Sequence, residues 1–210
     1  MGDWFNRLWA LPSYGIGGVA ILLLYVVQAE VRFGARARSH STGPADRGSS
    51  VLISVASLFP ILGLTLAMKA PASAWIPAWF RAWTLPGMPA VAWAGVAIGA
   101  VGLAVRLWSV LTLRERYTRT LLTHDQHSVE RSGPYRWVRH PGYLGSLLAL
   151  NGIAMASGNG IVLLASLLPT LAAYSYRIRV EDEMLVAALG EEYDAYRREV
   201  GALSPLRLKR

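Results

Sequence analysis

The sequence predicts an all-α, polytopic integral membrane protein with about five transmembrane helices and a cytoplasmic C-terminal helix. Three observations carry that expectation. Hydrophobic residues make up 53% of the 210 and charged residues only 16%, against about 25% charged in soluble domains. The apolar residues come in continuous blocks, which points to the bilayer as solvent. The basic residues gather in the gaps between those blocks. A net charge of +8 on a soluble domain would point to nucleic acid; here the distribution follows the positive-inside bias of membrane proteins. The absence of cysteine excludes disulfides, thiolate catalysis and thiolate metal sites.

Residues 1–13 read as an amphipathic lead, with Trp4, Phe5, Leu8 and Trp9 spaced to lie in the interface. The first span covers Tyr14 to about Ala29. Its apolar run gives way to Gln28, Glu30 and Arg32 where a small-residue cleavage site would stand, so it is expected to remain as a membrane helix. A basic, Gly/Ser-rich loop comes next, then a second span from Val51 to Met68 with Pro60 as an expected kink. Trp75, Trp79 and Trp83 fall at intervals of four and read as an interfacial belt. The third span, Val91 to Leu113, is long enough to cross at about 1.5 Å per residue.

After the polar stretch 114–141, two apolar blocks, Tyr143–Ser157 and Gly160–Tyr176, are joined only around Gly158 and Asn159. They predict an antiparallel hairpin of 15 and 17 residues, shorter than the roughly 20 a lone spanning helix needs. The tail Glu181–Val200 carries Met184, Leu185, Ala188, Leu189, Tyr193, Tyr196 and Val200 at helical spacing. It is expected to form a separate amphipathic helix with Gly190 as a possible break or close-packing point. The whole chain reads as one membrane domain: three spans in 1–113, a cytoplasmic loop in 114–145, the hairpin in 141–176 and a cytoplasmic segment in 177–210.

The loops after spans one and three and the tail hold 17 Lys and Arg; the N-terminus, the Trp-rich loop and the hairpin turn hold 3. The positive-inside rule then places the 114–140 loop and the C-terminus in the cytoplasm and the N-terminus outside. Arg106, seven residues from the end of span three, is expected to snorkel to the cytoplasmic interface.

Two constellations fall on that side. One is the stretch from His127 to Gly145, crowded with charge, aromatics and special-geometry residues, which reads as a cofactor cradle at the membrane surface. Within it Ser132-Gly133-Pro134-Tyr135 is a turn and His140-Pro141 the entry of a helix. Free N–H groups at a helix start attract anions, and Gly142 and Gly145 allow a ligand or another backbone to approach. The other is Arg177-x-Arg179-x-Glu181-Asp182-Glu183, where span five leaves the membrane. Arg131, Arg136 and Arg139 also suit plain lipid-headgroup contact. His124, His127 and His140 lack ligand spacing, so no metal is expected. Asn151 is either a helix–helix hydrogen bond or part of a polar pocket.

Taken together, Tyr135-x-x-x-Arg139-His140-Pro141-x-Tyr143-x-Gly145, an apolar hairpin, Arg177-x-x-x-Glu181-Asp182 and Gly190-Glu191-Glu192-Tyr193-x-x-Tyr196 resemble the isoprenylcysteine carboxyl methyltransferase family. The related membrane phospholipid methyltransferases share the RHPxYxG element. The resemblance covers about residues 114–205 and implies an integral membrane enzyme using S-adenosylmethionine, with a lipophilic or prenylated substrate entering from the bilayer. Carried over by motif, His127, Ser128, Val129 and Glu130 occupy the cofactor loop. Tyr135, His140, Pro141 and Tyr143 line the cofactor pocket, and Glu181 closes its far side. Arg177 matches the arginine associated with the substrate carboxylate; Asn151, on its polar-pocket reading, is a further candidate substrate contact. Glu130 departs from the aliphatic residue usual at its position, and 117–126 aligns poorly.

The implied chemistry needs no general base, because a carboxylate acceptor is already ionised at neutral pH. Phospholipid amines and lipophilic thiols are alternative acceptors. An NADPH-dependent lipid reductase and a lipid-binding scaffold are the alternatives of other classes.

Overall fold

Every long apolar block forms a helix, and the helices present their apolar side chains outward as well as inward. The computed structural model describes residues 13–31, 46–69, 76–113 and 129–205. Its helices are α1 (Ser13–Val31), α2 (Ser49–Lys69), the short α3 (Ala78–Ala82), α4 (Ala90–Leu113), α5 (Pro141–Ala156), α6 (Gly160–Leu189) and α7 (Glu191–Glu199). Among the described residues there is no β-strand, only isolated bridges at Thr84–Asn159 and Val138–Gly201. Leu23, Val51, Leu62, Val101 and Leu168 are each more than half exposed, a surface that suits lipid and not water. The protein is a multi-pass membrane protein.

Among the described residues three helices are long and apolar enough to cross: Ser49–Ala67 within α2, Ala90–Leu113 and Gly160–Leu189. The apolar part of α1, Gly15–Val27, is shorter, and α5 has 16 residues. The shortness of α5 has a local cause. Ala149, Leu150, Ile153, Ala154 and Ala156 are fully enclosed, so this helix is covered by protein.

Backbone-to-backbone packing holds α5 against α4. A Cβ on Gly102 would lie 2.5 Å from the Ala149 nitrogen, and one on Gly145 2.6 Å from both the Arg106 nitrogen and the Gly102 oxygen. Gly95 and Gly152 face each other in the same way one step further along. With lipid tails as apolar as leucine, close backbone approach is what drives such association. Gly145 therefore admits another helix, one of the two uses its position allowed.

At the hairpin turn Asn159 caps α6, accepting from the Ile161 and Val162 nitrogens at 2.9 and 3.2 Å. Its amide nitrogen donates to the Phe80 carbonyl at 2.8 Å, tying the turn to α3. Trp79 and Trp83 are exposed beside it.

One expectation is corrected at the C-terminal end. The tail helix does not begin at Glu181: α6 is a single helix of 30 residues through Leu189. Nothing between Tyr176 and Leu189 breaks the ladder, so span and tail are continuous. The break comes at Gly190, with φ +59°, a conformation glycine adopts without penalty. Arg177, Glu181 and Asp182 thus sit inside a helix, fixed in relative orientation. Trp4, Phe5, Leu8, Trp9 and Trp75, the loop over 32–45 and residues 114–128 lie outside the described residues.

Candidate functional site

The polar cluster at the loop-and-tail end of the bundle is built from three directions. The first is the segment entering α5. Gly133, with φ +54°, opens a 3-10 turn over Gly133–Arg136. His140 then lies outside the α region, at φ −120° and ψ 60°, as suits a residue before proline, and Pro141 starts the helix. The second direction is α6, where Arg177 and Glu181 are one turn apart and face Tyr143. The third is α7, folded back by Gly190.

Asp182 is the hub where they meet. Its carboxylate takes Arg139 at 2.8 Å, His140 Nε2 at 2.9 Å and the Tyr193 hydroxyl at 2.6 Å. The Arg139 and His140 nitrogens donate to the Gly201 and Ala202 carbonyls at 2.9 and 3.1 Å. Arg139 also donates to the Val200 carbonyl at 2.6 Å. Burial first, and the Asp182 charge second, push the Tyr193 hydroxyl well above its ordinary value, so it stays a donor. Tyr196, raised to about 12 chiefly by burial, donates to the Tyr135 carbonyl at 2.5 Å. The Tyr135 hydroxyl shares a hydrogen with Ser109 of α4 at 2.7 Å.

Asp182→Ala would leave the Arg139 side chain, 9% exposed, without its carboxylate. Breaking such a pair costs about 3–5 kcal/mol, so the variant is expected to melt well below the parent in detergent. Glu183→Ala removes only an exposed partner of Arg47, worth about 1 kcal/mol or less, and should barely shift the transition.

The second knot surrounds Arg177. Its Nε donates to the Tyr143 hydroxyl at 3.0 Å and lies 4.0 Å from Glu181; the Tyr143 hydroxyl in turn donates to Glu181. One terminal nitrogen is held by Asp46, by Ser49 Oγ at 2.7 Å and by Ser50 Oγ at 3.1 Å. The His140 and Tyr143 rings stack at 5.5 Å and 10°, joining this knot to the Asp182 hub.

Several site residues from the sequence therefore come together: Tyr135, His140, Pro141, Tyr143, Arg177 and Glu181. Val129 and Glu130 lie at the edge of the cluster. The Val129 nitrogen donates to Glu192 of α7 at 3.1 Å, and Glu130 accepts from the Ser132 nitrogen at 3.0 Å. His127 and Ser128 lie outside the described residues. Asn151 stands apart. Its amide donates to Leu147 and Thr170 and accepts from Ser166, so of its two readings the geometry favours the helix–helix bridge between α5 and α6. Arg106 does not snorkel. It is 9% exposed, donates to Ser146 of α5 and lies 5.1 Å from the Tyr25 ring centroid, because α5 and α1 offer it partners nearer than the interface.

Asp46, Ser49 and Ser50 were not legible as site residues. The signal for them is an aspartate three residues ahead of a Ser-Ser pair at a helix start, a capping pattern. Among the described residues no group of His, Asp and Glu has the makings of a metal site.

By fold and cluster the protein is a polytopic helical membrane protein with a buried polar site at one end of the bundle. Residues 95–187 match the model of the isoprenylcysteine carboxyl methyltransferase family. A probable protein-S-isoprenylcysteine O-methyltransferase of Oryza sativa subsp. indica is 31% identical over 112 residues, 52% of this chain and 59% of that protein. The cobalt-zinc-cadmium resistance protein CzcN of Cupriavidus metallidurans is 32% identical over 127 residues, 60% of this chain and 53% of that one. Among solved structures, the eukaryotic intramembrane Ras methyltransferase, an isoprenylcysteine carboxyl methyltransferase, is similar with a TM-score of 0.66 and 18% identity. The match covers 90% of this chain and 65% of that one, and this likeness concerns the fold. The chain spans roughly half to three-fifths of the length of the curated relatives it matches.

Proposed function

We propose that the protein is a membrane methyltransferase that uses S-adenosylmethionine and methylates the carboxylate of an isoprenylcysteine-like or other lipophilic acid. The observation that carries this reading is the junction between the Arg139-His140-Pro141-x-Tyr143 segment and the Arg177/Glu181/Asp182 face of α6. These are the two motif halves of the family resemblance, far apart in sequence and bonded side chain to side chain.

The donor set suits the cofactor. S-adenosylmethionine carries a cationic sulfonium, favoured by a carboxylate such as Glu181, 23% exposed, and by aromatic faces such as Tyr143. Arg139 Nε, buried without a hydrogen-bond partner, is a donor for the anionic end. Pro141 and His140 fix the pocket wall and Tyr135 braces it against α4; by the family resemblance His127, Ser128, Val129 and Glu130 would contact the cofactor. When bound, the cofactor supplies an electrophilic methyl group.

The chain's own part is to hold the acceptor in line and keep water out; orientation of this kind is worth up to about 7–11 kcal/mol. Arg177 supplies the positive charge that draws an acceptor carboxylate to the site. The acceptor reaches it from the bilayer along the lipid-facing helices. In this reading the site and C-terminus are cytoplasmic and the N-terminus is outside, as the 17-to-3 distribution of basic residues supports.

The test is methyl transfer from labelled cofactor by the purified protein in nanodiscs. N-acetyl-S-farnesylcysteine should gain an alkali-labile methyl ester. Label on phosphatidylethanolamine or on a lipophilic thiol instead would move the acceptor to those classes, and no transfer to any of the three would overturn the proposal.

A further inference from the structure

We infer that Asp46 is the residue that positions Arg177, so that the site is completed by the turn before α2, a segment outside the motifs of the family resemblance. The inference deepens the methyltransferase reading and rests on it for the role of Arg177.

Asp46 and Arg177 are 131 residues apart, and their side chains are 2% and 3% exposed. The guanidinium is gripped from both ends. On the α2 side, Asp46, Ser49 and Ser50 converge on one terminal nitrogen. On the α5 side, Nε meets the Tyr143 hydroxyl. A planar group held at two edges has its plane and tilt set.

Asp46 is itself fixed. It accepts from Ser49 Oγ at 3.1 Å, Ser50 Oγ at 2.8 Å and the Ser50 nitrogen at 3.1 Å. Burial would raise its pKa, but the Ser50 hydrogen bonds and the Arg177 charge hold it below the ordinary carboxylate value, so it stays ionised. The chain turns back over the helix start through Arg47 and Gly48, at φ +46° and +75°. That turn is fastened to α6 twice more. Arg47 pairs with Glu183 at 2.6 Å, and the Tyr176 hydroxyl donates to the Arg47 carbonyl at 3.1 Å.

The carboxylate of Asp46 does for Arg177 what a substrate carboxylate cannot do from the same side. It occupies that terminal nitrogen while Tyr143 takes Nε, and the two together set the orientation of the guanidinium in the site. Asp46 is thus a positioning residue; Arg177 is the group that meets the acceptor.

The experiment uses the full chain with arginine side-chain nitrogens labelled, the Arg177 Nε–H resonance being assigned by its loss in Arg177→Lys. In the parent this proton should exchange slowly. In Asp46→Ala and the isosteric Asp46→Asn it should exchange at least about tenfold faster, as local opening becomes easier; Asp46→Glu should restore part of the protection. With N-acetyl-S-farnesylcysteine as acceptor, KM should rise about tenfold or more in both variants, a loss of about 1.4 kcal/mol, while the Kd for S-adenosylhomocysteine stays within about twofold of the parent. Unchanged exchange in both variants would overturn the inference whatever the catalytic result. So would an equal loss of cofactor and acceptor affinity, the mark of a purely structural role. A parent that binds no S-adenosylhomocysteine and transfers no methyl, yet shows the exchange difference, would overturn the functional reading and leave the positioning intact.

Discussion

Arg177→Ala is expected to lower methyl transfer to an isoprenylcysteine acid by a hundredfold or more, about 2.7 kcal/mol at the transition state, while S-adenosylhomocysteine affinity changes far less. The substitution removes the cation proposed to draw the acceptor. It also strands Asp46, buried and ionised, which costs stability of about 3–5 kcal/mol. Two further variants separate these effects. Arg177→Lys keeps the charge but not the rigid fork and should recover stability better than turnover. Arg177→Met combined with Asp46→Asn removes both charges, a change that buried pairs often tolerate. That double variant should fold and bind S-adenosylhomocysteine yet remain inactive. Turnover in it near the parent's would remove Arg177 from the reaction.

The second large effect is structural. Gly145→Val should abolish the monodisperse, folded species on size-exclusion chromatography in detergent. Its Cβ would sit 2.6 Å from two backbone atoms of α4, and backbone cannot move aside as a flexible side chain can. Overpacking a core costs about 1–3 kcal/mol where side chains yield; here two helices would have to part, taking Arg106–Ser146 and Ser109–Tyr135 with them. Gly190→Ala is the contrast. Its Cβ would meet nothing within 4 Å, so only the backbone, at φ +59° and ψ −135°, is strained, at about 1–3 kcal/mol. A folded Gly145→Val protein would show that α4 and α5 are not locked by backbone contact.

These two sites mark what the sequence carried and what it withheld. The helical blocks, the hairpin turn and the break at Gly190 were legible because apolar runs and glycine act locally. Gly145 was legible as a close-approach point but not as to its partner. That partner lay in the small residues Gly95, Gly99 and Gly102 of α4, whose spacing is the pattern for helix packing in lipid. The length of α6 was misjudged because the change from apolar to charged residues at Arg177 looked like an end. A helix crosses such a boundary freely when no residue breaks it. Arg106 was read alone, as a cation near an interface, although its fate depended on Ser146 and Tyr25, which only tertiary packing brings to it. The Asp182 and Arg177 knots were half legible. Motif resemblance brought Arg139, His140, Tyr143 and Glu181 into one site, but Asp46 comes from a turn with no motif of its own.

The central claim is that the junction of the Tyr143 and Glu181 segments holds S-adenosylmethionine. It is tested most directly by calorimetric titration of S-adenosylhomocysteine into the parent and into Glu181→Ala, with NADPH as the competing ligand. The parent should bind at one site per chain, the variant at least about tenfold more weakly, equivalent to 1.4 kcal/mol, and NADPH should give no heat. Equal affinity of parent and variant for S-adenosylhomocysteine, or saturable binding of NADPH alone, would contradict the central claim.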